Sequence, residues 1–92
     1  LLLFVHPALD KSRAHRRLAA EWPALRARLP GLTIHDLYEA YPAYDVDVAH
    51  EQALLTAHDV VLFQFPFYWY STPPLLKQWE DLVLEHGWAY GR

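Results

Sequence analysis

Two short stretches concentrate the side chains that could do chemistry. The first places His6 directly after the apolar run of residues 1–5, then Ser12, Arg13, Ala14, His15, Arg16 and Arg17. Hydroxyl, imidazole and guanidinium groups around a helix start are the groups that hold a phosphate. The first backbone N–H groups of a helix point outward there, and cations neutralise the anion. Without an anion, Arg13, Arg16 and Arg17 would oppose the helix macrodipole, each at a cost of roughly 0.3–1 kcal/mol at low salt. The same residues also describe a solvated basic helix face with His6 filling a turn, and spacing alone leaves both open. The chain has no GxGxxG and no Walker pattern, so the usual dinucleotide and P-loop signatures do not apply.

The second stretch, residues 66–74, reads PFYWYSTPP. Phe67, Tyr68, Trp69 and Tyr70 are flat and stackable, and Pro66 ends a strand and frees neighbouring backbone groups from ladder pairing. Such a segment can pack against the body of a heteroaromatic ligand while its amides reach the ligand's edge. The alternative is that these aromatics belong to the core or to a subunit interface.

Other chemistries find little support. There is no cysteine, which excludes disulfides and thiolate metal sites. The six histidines show neither HxxxH nor HExxH spacing, so no metal site is assigned. His35, His50 and His58 read as surface or edge residues, and His86 as the end of the last helix. No nucleophile elbow is present. The Glu80-Asp81 pair reads as a solvated helix face. Eight basic against eleven acidic side chains leave a net charge of −3, which argues against a general nucleic-acid binder. No apolar run approaches the ~20 residues needed to cross a bilayer, and no signal-peptide pattern opens the chain.

These residues need a scaffold, and the chain offers one. With 92 residues, 53% hydrophobic and 15% aromatic, it supplies at most one small domain with a packed core. Residues 1–5, 32–37 and 60–65 read as strands. Ala14, Leu18, Trp22, Leu25 and Leu29 make a helical stripe that Pro23 kinks or divides. Residues 38–45 form a connection. Asp47 caps a second helix to about Thr56, with Val48, Leu54 and Leu55 as its apolar contacts. Pro73-Pro74 starts a third, with Leu75, Leu76, Trp79, Leu82 and Val83 on one face. The order β-α-β-α-β-α predicts an α/β fold with a parallel sheet between helices. If the first and third strands are neighbours, both chemical loops open on one crevice at the sheet's carboxyl edge. The start inside an apolar run and the stop at Gly91-Arg92 lead us to expect flanking sequence.

The segments FVHPALDKSRAHRRL, LYEAYPAYDVDVAHEQALL and DVVLFQFPFYWYSTPPLLKQWEDLVLEHGWAYG resemble the NAD(P)H:quinone oxidoreductase family of flavodoxin-like flavoproteins. Its bacterial branch includes ancillary subunits of glutathione-regulated potassium-efflux systems. The resemblance implies a flavodoxin-like three-layer fold with strand order 2-1-3-4-5. On that reading, residues 1–92 are the N-terminal part of a single flavin-binding domain of a homodimer. It implies FMN, or FAD, as cofactor and NAD(P)H as co-substrate, with a hydride passing by way of the flavin to a quinone. His6, Ser12, Arg13, Ala14 and His15 match the flavin phosphate loop. Pro66, Phe67, Tyr68 and Trp69 match the segment beside the ring, and Tyr70 a neighbouring aromatic. His15 stands where Asn is frequent and Tyr68 where Gln is frequent. No acid–base residue within the chain is assigned. A cytoplasmic location is implied, peripheral to the membrane where a potassium-efflux antiporter is the partner. The rival reading is a flavin-binding regulatory subunit of that antiporter; a flavin-free relative whose aromatics stabilise a dimer is a third.

Overall fold

The computed structural model describes residues 1–7, 13–67 and 72–91. In chain order they form β1 (Leu2–Phe4), α1 (Arg13–Ala19), α2 (Trp22–Arg28), β2 (Ile34–Asp36), α3 (Leu37–Ala40), α4 (Val48–Thr56), β3 (Leu62–Gln64) and α5 (Pro74–Val83). The three strands are parallel in the order β2-β1-β3. Leu2 faces Ile34 and Leu62, Leu3 faces His35 and Phe63, and Phe4 faces Asp36 and Gln64. The ladder reaches one residue past β1, where the Val5 amide donates to the Gln64 carbonyl at 2.8 Å. With β1 and β3 adjacent, their carboxyl ends share one edge of the sheet.

Local chemistry explains where the helices begin. The expected stripe divides at Ala20 and Glu21, and Pro23 falls in the first turn of α2, where its missing N–H costs nothing. Asp47 caps α4 by accepting from the His50 amide at 3.1 Å, and Pro74 opens α5. The single-turn α3 falls where a strand end and a connection were expected. Asp36 accepts from the Glu39 amide at 3.2 Å and turns the chain into a helix immediately after β2. Helix α5 stops at Val83, so His86 lies beyond it, in a turn closed by Gly87 N–H donating to the Tyr90 carbonyl at 2.7 Å. Gly91 has φ +70°, and a Cβ there would collide with the His86 ring.

Alternation along β1 divides the molecule into three layers. Leu1, Leu3 and Val5 are buried in one cluster with Leu37, Tyr41, Leu75, Leu76, Trp79 and Val83, on the side of α3, α4 and α5. Leu54 and Leu55 of α4 pack against it, as expected for that helix. Phe4 points the other way and meets the Trp22 ring edge-on at 4.8 Å, on the side of α1 and α2. The α1–α2 stripe does not stay on that face. Leu18 and Leu29 are about half exposed, because two short helices separated by a break do not carry one stripe in phase.

The closed face also buries one charge. Glu51 is 1% exposed and accepts hydrogen bonds from Tyr41 Oη at 2.6 Å, Trp79 Nε1 at 2.9 Å and His35 Nε2, which lies 2.9 Å from both carboxylate oxygens. Burial by itself would push this carboxyl up; the donations from His35, Tyr41 and Trp79 outweigh it and hold it below its ordinary value. Burial, then the bond to Glu51, pushes the Tyr41 hydroxyl up. His35, expected at the surface or an edge, lies on β2 at an edge of the described sheet, with its side chain turned inward to Glu51. His58 is half-buried, bonded to the Leu54 carbonyl at 2.7 Å and to Thr33 Oγ1 at 3.0 Å. Among the described residues, no helix is long and apolar enough to cross a membrane.

Candidate functional site

The carboxyl edge of β1 and β3 collects the described members of both chemical loops. His6 leaves β1 and meets His15 of α1, with ring centroids 4.9 Å apart and planes at 65°. Phe4, fully buried beneath them, lies 6.4 Å from the His6 ring and 6.3 Å from the His15 ring. Three rings thus meet in one corner, and their aromatic contact helps hold β1 and α1 together.

Gln64 joins the second loop to this corner. It ends β3 and points to the α1 side of the sheet, where its Nε2 lies 3.3 Å from His15 Nδ1. Sequence reasoning missed Gln64, although a signal was present: it is the one polar residue in the apolar run of residues 60–65. Pro66 follows, half-buried, and Phe67 is 83% exposed, so the side chain at Phe67 already faces outward.

Arg13 and Ala14 are exposed on the first turn of α1, with Arg16 and Arg17 also exposed further along. Because α1 has only seven residues, Arg16 and Arg17 lie in its last turn, where a cation complements the macrodipole. The expected electrostatic penalty therefore attaches to Arg13 alone. Ser12, Tyr68, Trp69 and Tyr70 lie outside the described residues. The structure brings together His6, His15 and the β3 end that leads to Pro66 and Phe67. Their donor set, two imidazoles and a carboxamide, with Arg13 two residues before His15 on α1, suits an oxyanion such as a phosphate monoester. The exposed phenyl group of Phe67 suits a flat apolar partner. Among the described residues, no group of three or more His, Asp or Glu side chains could hold a metal ion.

Comparison with known proteins agrees with this architecture. The family model for the flavodoxin-like fold, Flavodoxin_2, matches residues 1–92. The glutathione-regulated potassium-efflux system ancillary protein KefG of Cronobacter sakazakii is 54% identical over 91 residues, covering 99% of this chain and 47% of its own. The uncharacterized NAD(P)H oxidoreductase YdeQ of Bacillus subtilis is 50% identical over 91 residues, covering 99% and 44%. The crystal structure of general stress protein 14 of Treponema denticola in complex with FMN superposes with a TM-score of 0.88 at 43% identity, covering 99% of this chain and 51% of that one. The chain spans about half the length of the curated relatives it matches.

Proposed function

We propose, from the premise that this chain belongs to the flavodoxin-like NAD(P)H oxidoreductase family, that residues 1–92 are the N-terminal part of a single flavin-binding domain that reduces a quinone with NAD(P)H. The observation that carries the reading is the corner of His6, His15 and Gln64, which links the first loop to the segment entering Pro66 and Phe67. FMN is the flavin favoured by the FMN complex of the similar structure. His6, Ser12, Arg13, Ala14 and His15 would hold its phosphate; Pro66, Phe67, Tyr68, Trp69 and Tyr70 would line its ring.

When bound, the flavin supplies a ring that takes up a hydride and hands it on as a two-electron unit. The chain's own work is binding and orientation. The imidazoles would hydrogen-bond the phosphate and Arg13 would offset part of its charge, with Gln64 holding the His15 ring in place. Pro66 directs the chain away from the sheet, so that Phe67 keeps water from one side of the pocket. A quinone suits the acceptor role because it is flat and takes two electrons together. The working unit is a homodimer, located in the cytoplasm.

The identity with KefG favours a second reading, in which the protein is a flavin-binding regulatory subunit docked on a potassium-efflux antiporter at the inner face of the membrane. A visible absorption spectrum separates the two. The full-length protein is soaked with FMN, washed, and treated anaerobically with NADPH and then a quinone. Retained yellow colour that bleaches and returns with the quinone supports the oxidoreductase. Colour that neither NADPH nor NADH bleaches supports the regulator. No retained colour, with FAD tried as well, removes the flavin reading.

A further inference from the structure

A polar cavity of about 450 Å³ lies beside β2, on the flank of the sheet away from β3. Trp22 and Arg26 of α2, Ile34, His35 and Asp36 of β2, and Glu39 of α3 line it. None of them belongs to the proposed flavin site. We propose that this cavity binds a short zwitterionic peptide of two or three residues, its ammonium group held by Asp36 and Glu39 and its carboxylate by Arg26.

Two carboxylates and one guanidinium face this space, yet among the described residues no carboxylate lies within ion-pair distance of Arg26. Opposite charges that line one cavity without meeting are complementary to a ligand that carries both signs. The fork of an arginine matches a carboxylate in bidentate geometry. Asp36 caps α3 through Oδ1, which accepts from the Glu39 amide at 3.2 Å, and a carboxylate has acceptor positions beyond that one bond. Burial holds the Asp36 carboxyl above its ordinary value, so a cation brought beside it relieves more than it would at an open surface.

The backbone favours a peptide over a free amino acid. Ile34, His35 and Asp36 all line the cavity although their side chains alternate between faces, so it opens on the edge of β2. Leu2 stands opposite Ile34 and its amide donates to the Thr33 carbonyl at 2.8 Å. In a parallel ladder that register turns the Ile34 N–H and C=O away from β1, toward the edge. They can pair with one peptide unit of an extended ligand, a unit that a free amino acid lacks. Trp22, held edge-on to Phe4 at 4.8 Å, and Ile34 give the ligand's side chain an apolar wall. The volume is ordinary for a small-ligand pocket.

The test titrates leucylglycine into the isotope-labelled full-length protein and follows backbone amide and indole resonances by NMR. Saturable shifts are expected at the Ile34 amide and the Trp22 indole, with His15 and Gln64 unmoved. N-acetyl-leucylglycine lacks the ammonium group and leucylglycinamide lacks the carboxylate. Each should bind about tenfold more weakly, the range for a lost charge-assisted hydrogen bond. Glu39→Gln should weaken leucylglycine about three- to tenfold and leave the N-acetyl ligand unaffected, whereas Arg26→Gln should do the same and leave the amide unaffected. Both side chains are exposed, so the fold should tolerate either substitution. No saturable shift at Ile34 up to about 10 mM peptide overturns the proposal. Equal affinity for the three ligands also overturns it, as do shifts at His15 and Gln64 in place of Ile34 and Trp22. Tighter binding of leucylglycine to Glu39→Gln would overturn it as well, because Glu39 would then only compete for Arg26.

Discussion

The two faces of the sheet are built to different standards. On one, Leu1, Leu3 and Val5 lie under α3, α4 and α5 in a cluster whose members are 0–7% exposed, with a satisfied buried carboxylate at its centre. On the other, α1 and α2 cover Phe4 and little else, and Val60 and Leu62 remain 65% and 58% exposed. The closed face has most features of a finished core: a packed cluster around Trp79 and a buried carboxylate with three donors, although Thr72 Oγ1 is buried there without a partner among the described residues. The open face has apolar residues at the right spacing, of which Leu2 and Phe4 are covered and Val60 and Leu62, by the described residues, are not. Substitutions of similar size should therefore have very different consequences on the two faces.

The largest effect is expected from Trp79→Ala on the closed face. It leaves a large cavity and removes one donor from a buried carboxylate, for a loss of about 3–5 kcal/mol. Urea unfolding of the full-length protein measures it. Leu18→Ala, at a half-exposed position on α1, should shift the same midpoint by an amount worth less than about 0.5 kcal/mol. Equal losses at the two sites would erase the distinction between the faces.

Acid should attack the closed face next. The folded-state pKa of Glu51 lies below its ordinary 4.5, so the carboxylate contributes stability above that pH and loses it as pH falls through the folded value. One such group steepens the acid limb by at most about 1.4 kcal/mol per pH unit. Asp36 works in the opposite sense, because burial raises its pKa and it takes up a proton earlier when folded. Glu51→Gln should flatten the acid limb of a stability–pH curve below pH 4.5 and leave the neutral region's slope unchanged. An unaltered acid limb would show that Glu51 is not held ionised by its donors.

Much of the closed face was legible before any coordinates. Strand and helix order follows from apolar runs punctuated by Pro and Gly, and the cap at Asp47 and the proline at the first position of α5, Pro74, carry their own local chemistry. Glu51 was not legible, because its burial depends on donors 16, 10 and 28 residues away in sequence. Nothing in a nine-residue helix marks one carboxylate as buried when its partners are scattered over three other elements. The helix α3 was missed although its signal is local: Asp36 followed three residues later by Glu39 is a capping pattern. On the open face the division of the helical stripe was legible from Pro23, which falls in the first turn of a second short helix, while the change of phase between the two helices was not. The two loops were singled out from residue type alone, and Gln64, which joins them, was passed over as part of a strand.

At the shared edge the expected effect is smaller. Gln64→Leu preserves the volume of the β3 end and removes the partner of His15 Nδ1. If the corner holds a phosphate, FMN affinity should fall about two- to tenfold, the range for one partly buried neutral hydrogen bond. Fluorescence titration of the full-length protein reads it directly. An unchanged dissociation constant would place His15 outside the phosphate site.

The smallest change in stability, and the sharpest test of the open face, is Leu62→Lys. Leu62 presents its side chain to the α1 side next to Val60, on a strand that pairs on one edge with β1 and, among the described residues, with no strand on the other. An exposed apolar edge strand invites association with another strand, whereas a lysine there blocks it at little cost to the fold. For residues 1–92 prepared alone, sedimentation should show association that the substitution reduces, with a midpoint of unfolding shifted by less than about 0.5 kcal/mol. In the full-length protein the same lysine should be clearly destabilising if further chain covers Val60 and Leu62, since a charge would then be buried without a partner. A substitution that is harmless in the short chain and damaging in the long one would identify the open face as an internal surface of the whole domain. Equal tolerance in both would leave it as true exterior, and would remove the case for residues 1–92 as one part of a single domain.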